Sequence, residues 1–125
     1  MKTYTEDQQK ANLEEACKAL EANPKKAKGE MRDDEGGRCC LCVMEDCARS
    51  IDSEIRLGDD YYPHKNLSAF YGLENCYDSN YGFCFRFRNG AKASEYNDGT
   101  NDIKELTHKE IAARIREDFL SSPKR

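Results

Sequence analysis

The sequence contains no tryptophan, only three prolines and no apolar run long enough to cross a membrane. Hydrophobic residues make up 38% of the 125 residues and charged residues 35%. Because leucine, isoleucine, phenylalanine and tyrosine are well represented, this balance indicates a folded chain with a thin core rather than a disordered one. The length suits one core, so we expect residues 1–125 to form a single domain.

Recognisable catalytic motifs are also absent. The chain has no nucleophile elbow, phosphate-binding loop, dinucleotide-binding glycine pattern or zinc-protease helix motif. A cysteine nucleophile would need a histidine base beside it, and the two histidines, His64 and His108, stand alone in the sequence. His108 is the first residue of a capped helix, where we expect it to be solvated on the surface. The sequence therefore predicts a protein that is not an enzyme.

Signals for secretion and for nucleic-acid binding are missing as well. The first residues lack the apolar core of a signal peptide, so we expect the seven cysteines to be free thiols or metal ligands in a reducing cytosol. No dense cluster of basic residues marks a DNA-binding face. Residues 106–115 resemble the first helix of a helix-turn-helix, but the ten residues after Ile115 leave no room for a recognition helix. Direct DNA binding and membrane binding are not expected.

Three helices can be read from capping and spacing. Residues Thr5–Gln8 form a capping box that begins a helix ending near Ala22, and residues Thr107–Glu110 form a second box that begins the last helix. Between them lies a cysteine-rich segment with apolar residues at helical spacing. The predicted core face of this middle helix consists of Cys40, Val43, Met44 and Cys47.

Residues 82–96 have the pattern of a β-hairpin. Three phenylalanines alternate with other residues from position 83 to 87, and Asn89-Gly90 is the sequence preferred in a two-residue type I′ turn. That turn predicts that Arg88 faces Ala91. With the three helices, the hairpin predicts an α+β fold, in which a small antiparallel sheet packs against the N-terminal, cysteine-rich and C-terminal helices.

Four cysteines have the best spacing for a zinc site. Cys39 and Cys42 form a C-x₂-C pair, and the residues that could complete the site are Cys47, His64, Cys76 and Cys84, of which Cys76 and Cys84 would give a set of four thiolates. The second pair lacks the spacing of a zinc knuckle, and thiols on the core face of a helix commonly act as small apolar side chains. We therefore expect buried free thiols and no cofactor, with a zinc-stabilised interaction module as the alternative.

Tyrosine and arginine are concentrated in the middle of the chain, and these residue types often anchor protein interfaces. Arg86 and Arg88 lie on the strand face opposite the phenylalanines, with Lys92 nearby, and we expect them to bind an acidic protein surface or an anion. The tyrosines of the same candidate surface are Tyr61, Tyr62, Tyr77 and Tyr81. Capture of a phosphate-bearing nucleotide by the three bases is the alternative function. Pairing of the aromatic hairpin across a two-fold axis would give a homodimer.

The order of several short motifs resembles that of a group of small proteins of tailed phages and prophages. The motifs are Gly37-Arg38-Cys39-Cys40-Leu41, Phe70-Tyr71-Gly72-Leu73, Asn97-Asp98-Gly99 and Glu110-Ile111-Ala112-Ala113-Arg114-Ile115. Members of the group have glycine where this chain has Cys42. The resemblance implies a phage protein in the cytoplasm of a bacterial host, which binds and inhibits a host component such as a CRISPR-type defence effector. It supplies no catalytic residues.

Overall fold

The computed structural model describes residues 3–29, 31–58, 62–76 and 82–120, which form a bundle of short helices. The α-helices within these residues are α1 Glu6–Ala22, α2 Cys40–Ile51, α3 Leu67–Tyr71, α4 Ala93–Asp98 and α5 His108–Ile115. A π-helical turn, Arg116–Leu120, continues α5. None of the helices in the described ranges is long and apolar enough to span a lipid bilayer.

The N-terminal helix begins and ends where its sequence predicts. The Thr5 hydroxyl accepts a hydrogen bond from the Gln8 amide at 3.1 Å, and the Gln8 side chain accepts one from the Thr5 amide at 2.8 Å. This reciprocal pair satisfies amides that have no partner within the helix. The helix packs against α2, α3 and α5. Its buried face consists of Leu13, Ala16, Cys17 and Leu20.

The cysteine-rich helix α2 is present as predicted, but it is buried over a wider face than its spacing indicates. The predicted core residues Cys40, Val43 and Met44 are buried, and so are Cys39, which precedes the helix, and Cys42. This extended burial arises because α2 packs against α1, α3 and α4. The thiols of Cys40 and Cys42 therefore occupy the core as small apolar groups, whereas Cys47, also predicted on the core face, is half-buried.

The predicted α+β fold is wrong, because the described residues form no sheet. They contain two isolated antiparallel bridges, Arg32 with Arg38 and Arg86 with Lys92. The second bridge belongs to the predicted hairpin, but α4 replaces the returning strand. This helix begins directly after Lys92, where the Glu95 carboxylate accepts the Lys92 amide at 2.8 Å and so caps the first turn.

The turn of this interrupted hairpin also differs from the predicted two-residue turn. The Gly90 amide donates to the Phe87 carbonyl at 2.9 Å, and the Phe87 amide donates to the Ala91 carbonyl at 2.8 Å. Gly90 has a φ of +93°, whereas Asn89 does not have a positive φ. The segment is therefore a type I turn followed by a left-handed glycine. Ala91 lies opposite Phe87, one residue away from the predicted partner Arg88.

The C-terminal helix begins at its predicted capping box, in which the Thr107 hydroxyl accepts the Glu110 amide at 3.1 Å. Beyond this helix, the π-helical turn brings Phe119 against two of the phenylalanines assigned to the hairpin. Its ring centroid lies 5.9 Å from that of Phe85 and 6.0 Å from that of Phe87. The side chains predicted to form one face of a sheet thus contribute to a helical core.

Arg116, the first residue of the π-helical turn, joins the C-terminal helix to α1. Its Nη2 donates to Oε2 of Glu14 at 2.8 Å, and its Nη1 donates to Oε2 of Glu21. The hydrogen bonds from Arg116 lower the pKa of both carboxyl groups. Arg116 is thereby committed to contacts within the fold.

Asn97 connects three segments in the interior. Its Oδ1 accepts the Cys40 amide at 2.8 Å, and its Nδ2 donates to the Ala27 carbonyl at 2.8 Å. The Cys40 amide belongs to the first turn of α2, where amides have no partner within the helix. The Asn97 side chain, which is 2% exposed, therefore anchors the start of α2 to α4.

Candidate functional site

The basic candidate residues lie on one short segment, which we call the basic turn: Arg86, Arg88 and Lys92. Both arginines are exposed and the lysine is half-buried. The Arg86 Nη1 donates to the Gly90 carbonyl at 2.8 Å, and the Arg88 amide donates to Oδ2 of Asp118 at 2.9 Å. Hydrogen bonds to the backbone thus hold the segment, while its cationic groups stay accessible.

Within the described residues, the basic turn lacks the counter-ions that five other bases have on other segments. Within the part of the chain that the structure describes, none of its three side chains forms an ion pair. The bases with acidic partners on other segments are Lys26, Lys28, Arg32, Arg38 and Arg116. The carboxylates of Asp118 and Glu95 bind backbone amides of this turn and not its cationic groups, which stay available to an anionic partner.

A cleft of about 610 Å³ adjoins the basic turn at Arg86. Its charged lining residues are Arg86, Lys104, Arg114, Glu95 and Asp102. The guanidinium carbon of Arg114 lies 5.5 Å from the centroid of the Tyr96 ring, so the cation also packs on an aromatic face. The volume is within the usual range for small-ligand sites, which is about 300–1,000 Å³.

Of the four candidate tyrosines, the structure describes Tyr62. This side chain is half-buried and lines a separate cleft of about 240 Å³ together with Cys39, Ser94 and Asp98. The remaining three, Tyr61, Tyr77 and Tyr81, lie outside the described residues. That the four tyrosines and the basic turn form one binding surface therefore stays a prediction.

The four cysteines of the zinc alternative lie in two separate places. Cys39 caps α2, where its sulfur accepts the Cys42 amide at 3.3 Å. Cys76 and Cys84 adjoin each other, with the Cys76 amide donating to the Cys84 carbonyl at 2.9 Å. Among the described residues, no group of ligand atoms within 4.8 Å of one another contains both pairs. The structure does not bring this predicted ligand set together.

Burial makes these thiols poor nucleophiles. It raises the pKa of Cys39 to about 11 and that of Cys42 to about 12. Burial and the neighbouring Cys84 also raise the pKa of Cys76 to about 11. Because the thiolate is the nucleophilic form, these groups stay almost fully protonated near neutral pH and react slowly.

His108 is buried, so the prediction that it is solvated on the surface is wrong. Its Nδ1 forms a hydrogen bond with the Asn23 carbonyl, and burial lowers the pKa of the imidazole. His64 is half-buried and accepts the Asn66 amide at Nδ1 over 3.1 Å, and burial lowers its pKa as well. Both imidazoles are engaged in local structure.

An apolar groove beside the end of α2 has no counterpart in the sequence-based predictions. It has a volume of about 560 Å³, and the loop after α2 contributes Asp52, Glu54, Ile55 and Arg56 to its lining, with Tyr4 and Ala69. Ile51 and Leu57, at the two ends of that segment, are 49% and 58% exposed. An apolar residue on each side of a polar loop was the only signal of this surface in the sequence.

A cluster of one thiol and two carboxyl groups on α2 was also missed. The donor atoms of Cys42, Glu45 and Asp46 lie within 4.8 Å of one another. Glu45 is 1% exposed, and the Gly58 amide donates to its Oε2 at 2.7 Å. The spacing of the three residues is visible in the sequence. The burial of Glu45 is not visible there, because it depends on a hydrogen bond from the distant Gly58. The backbone is tightly packed at Gly58, where an added Cβ would lie 2.2 Å from the Tyr62 carbonyl oxygen.

Comparisons with known proteins identify no relative of this chain. No protein-family model matches it. No curated protein and no solved structure matches it significantly. The resemblance to small phage proteins, and the function that this resemblance implies, therefore remain hypotheses.

Proposed function

We propose that the chain is a phage-derived, non-enzymatic protein that inhibits a component of the bacterial host by stoichiometric binding. A CRISPR-type defence effector is the example that the motif resemblance suggests, and the host cytoplasm would be the place of action. The observation that carries this proposal is the basic turn, whose three cations form no ion pair with a described residue.

The chemistry of the basic turn defines the partner surface that would fit it. A guanidinium group can bind a carboxylate through two parallel hydrogen bonds, and arginine is enriched among the residues that dominate binding energies. Because Arg86 and Arg88 are exposed and held on a hydrogen-bonded turn, they can dock without large rearrangement. A carboxylate-rich protein surface is therefore the expected partner.

The test compares two charge-reversal variants that change the net charge equally. Arg86→Glu/Arg88→Glu alters the basic turn, and Lys10→Glu/Lys18→Glu alters exposed bases of α1. Tagged wild-type protein should recover a host protein from bacterial lysate as a complex of fixed stoichiometry by native mass spectrometry. With the recovered partner, we expect the turn variant to bind at least roughly tenfold more weakly, since hot-spot arginines contribute more than about 1.4 kcal/mol.

The control variant should bind the recovered partner as wild type does, and added salt should weaken the wild-type complex. Recovery of no stoichiometric protein would contradict the proposal. Equal losses in the two variants would show that net charge, rather than the basic turn, governs association. Native mass spectrometry would also detect a homodimer as twice the mass of the chain.

The cleft beside Arg86 favours a second function, the sequestration of a phosphate-bearing nucleotide. Arg86 and Arg114, which both line the cleft, would hold the phosphate. Cyclic dinucleotides should then raise the thermal midpoint of wild type but not of Arg114→Gln. Raised midpoints without a stoichiometric protein partner would favour this function over the first.

A further inference from the structure

We propose that Cys42, Glu45 and Asp46 form a binding site for a thiophilic divalent cation such as Zn²⁺ on one face of α2. This inference does not depend on the proposed function. It also differs from the predicted zinc alternative, which requires Cys39, Cys76 and Cys84 as ligands.

The spacing of the three residues brings their donor atoms together. Positions i, i+3 and i+4 of a helix lie on one face. The thiol and carboxylate donor atoms lie within 4.8 Å of one another, with Sγ of Cys42 3.9 Å from Oδ2 of Asp46. Ligands bound to tetrahedral zinc at about 2.0–2.3 Å are separated from one another by roughly 3.5 Å. Small side-chain rotations would therefore complete the coordination geometry.

Glu45 is a second, independent sign of a missing ligand. The side chain is 1% exposed, and its Oε2 accepts the Gly58 amide. Its Oε1 is buried and has no hydrogen-bond partner among the described residues, in which the nearest cationic atom is Nη2 of Arg32 at 4.0 Å. A buried carboxylate oxygen without a donor is unfavourable, and a bound cation would supply its partner.

Two arginines neutralise the cluster when no cation is bound. Arg32 Nη2 lies 2.8 Å from Asp46 Oδ1, and Arg38 Nε lies 2.9 Å from Asp46 Oδ2. Together they balance the charges of Glu45 and Asp46. The Arg32 side chain is 44% exposed and so can leave the cluster for solvent.

Cation binding can proceed without a net build-up of charge. The S–H bond of Cys42 breaks, its proton passes to solvent, and the sulfur forms a bond to the metal. Three negative ligands then face a divalent cation and the remaining Arg38 guanidinium, which together neutralise them. The half-exposed Asp46 gives access from solvent, and water can take the fourth position. Arg32 is therefore a competitor of the metal, not a ligand.

Cobalt titration of the full chain under reducing conditions tests the site, because a thiolate–Co²⁺ bond produces a charge-transfer absorption. Wild type should show this band with one equivalent of Co²⁺ bound, and Zn²⁺ should remove it. Cys42→Ala should abolish the band, whereas Cys47→Ala, a change at a half-buried thiol of the same helix, should retain it. Glu45→Gln should weaken cobalt binding by at least roughly tenfold, a loss typical of altered metal sites.

Arg32→Gln separates a metal site from a merely structural cluster. If Arg32 competes for the carboxylates, this variant should bind Co²⁺ more tightly than wild type. Absence of the thiolate band at millimolar Co²⁺ would overturn the proposal. So would a band that persists in Cys42→Ala, or weaker binding by Arg32→Gln. Circular dichroism of each variant checks that it is folded, and the Glu45 and Arg32 variants preserve the test if Cys42→Ala does not fold.

Discussion

Two regions of this protein use arginine in opposite ways. Beside α2, Arg32 and Arg38 both bind Asp46, at 2.8 and 2.9 Å. At the basic turn, Arg86 and Arg88 have no ion pair with any residue in the described ranges. The number of arginines therefore does not decide which of them a partner can use. The placement of acids decides it, because a guanidinium that already has a carboxylate must lose it before binding elsewhere.

The largest loss of stability is expected where α2 is anchored. Asn97→Ala leaves the buried Cys40 amide and Ala27 carbonyl without their partners. An unsatisfied buried group costs roughly 1–3 kcal/mol, so the free energy of unfolding in urea should fall by about 3 kcal/mol. The matched change Asn101→Ala, at an exposed asparagine, should stay within about 0.5 kcal/mol of wild type. A similar small loss for Asn97→Ala would mean that α2 is not held by this side chain.

A smaller effect is expected from pH, through His108. Burial lowers its pKa in the folded protein, so the unfolded chain takes up the proton first as pH falls. The free energy of unfolding should be highest above about pH 6.5 and fall below it toward the folded pKa, and His108 contributes a slope of at most about 1.4 kcal/mol per pH unit. Urea unfolding at several pH values between 7.5 and 5.5 measures this slope.

His108→Gln should reduce that slope, and Arg86→Glu/Arg88→Glu should leave it unchanged. His64 contributes with the same sign, because burial also lowers its pKa, so the difference between wild type and His108→Gln isolates His108. Wild-type stability that does not change between pH 7.5 and 5.5 would be inconsistent with a buried neutral imidazole at this position.

The same change, arginine to glutamine, can be made in both regions and its effect on the free energy of unfolding compared. Arg38→Gln removes a cation bound to Asp46, and Arg88→Gln removes one that has no ion pair with a described residue. Because Arg38 and Asp46 are each 40% exposed, solvent screens their interaction, and we expect a loss of about 0.5–1 kcal/mol. Arg88→Gln should be neutral within about 0.3 kcal/mol. A larger loss of stability for Arg88→Gln than for Arg38→Gln would show that Arg88, and not Arg38, is the arginine engaged within the fold.

The last prediction concerns the reactivity of the thiols and involves no change in stability. Cys47 and Cys76 are half-buried, and the other cysteines are buried. A thiol-specific disulfide reagent should therefore modify these two groups in the folded protein and all seven cysteines after unfolding. Cys47→Ala and Cys76→Ala should each remove one reactive group. Rapid reaction of further thiols would show that the α2 region opens more readily than its packing indicates.

The helices that the sequence predicted correctly depend on contacts within four residues. The Thr5 and Thr107 capping boxes join each threonine to the residue three positions later. Both partners of such a hydrogen bond lie within four consecutive residues, so a short stretch of sequence is enough to recognise the cap. Helix starts were therefore the most predictable part of the fold.

The hairpin prediction failed because a second local signal competed with it. Asn89-Gly90 favours a tight turn, but three residues after Lys92 the Glu95 side chain can cap a helix, and this cap prevails. The phenylalanines that a second strand would have covered pack instead against Phe119, which lies more than thirty residues later. Such distant packing cannot be read from alternation alone.

The candidate site was predictable only in part for a similar reason. The exposure of Arg86 and Arg88 follows from their alternation with buried phenylalanines. Their lack of ion pairs within the described ranges does not, because it depends on where the acids of other segments lie. The burial of Glu45 and that of His108 likewise depend on distant backbone groups, and the capping preference of a helix start gave the wrong environment for the histidine.

The contact of Arg116 with two glutamates has a mechanical consequence for α1. Glu14 and Glu21 are seven residues apart, which is nearly two full turns and about 10 Å along the helix axis. One guanidinium that bridges both carboxylates resists rotation of the helix about its axis as well as sliding along it. The C-terminal segment thereby fixes the rotation of α1 about its own axis, whereas the N-terminal cap of α1 fixes only the residue at which the helix starts.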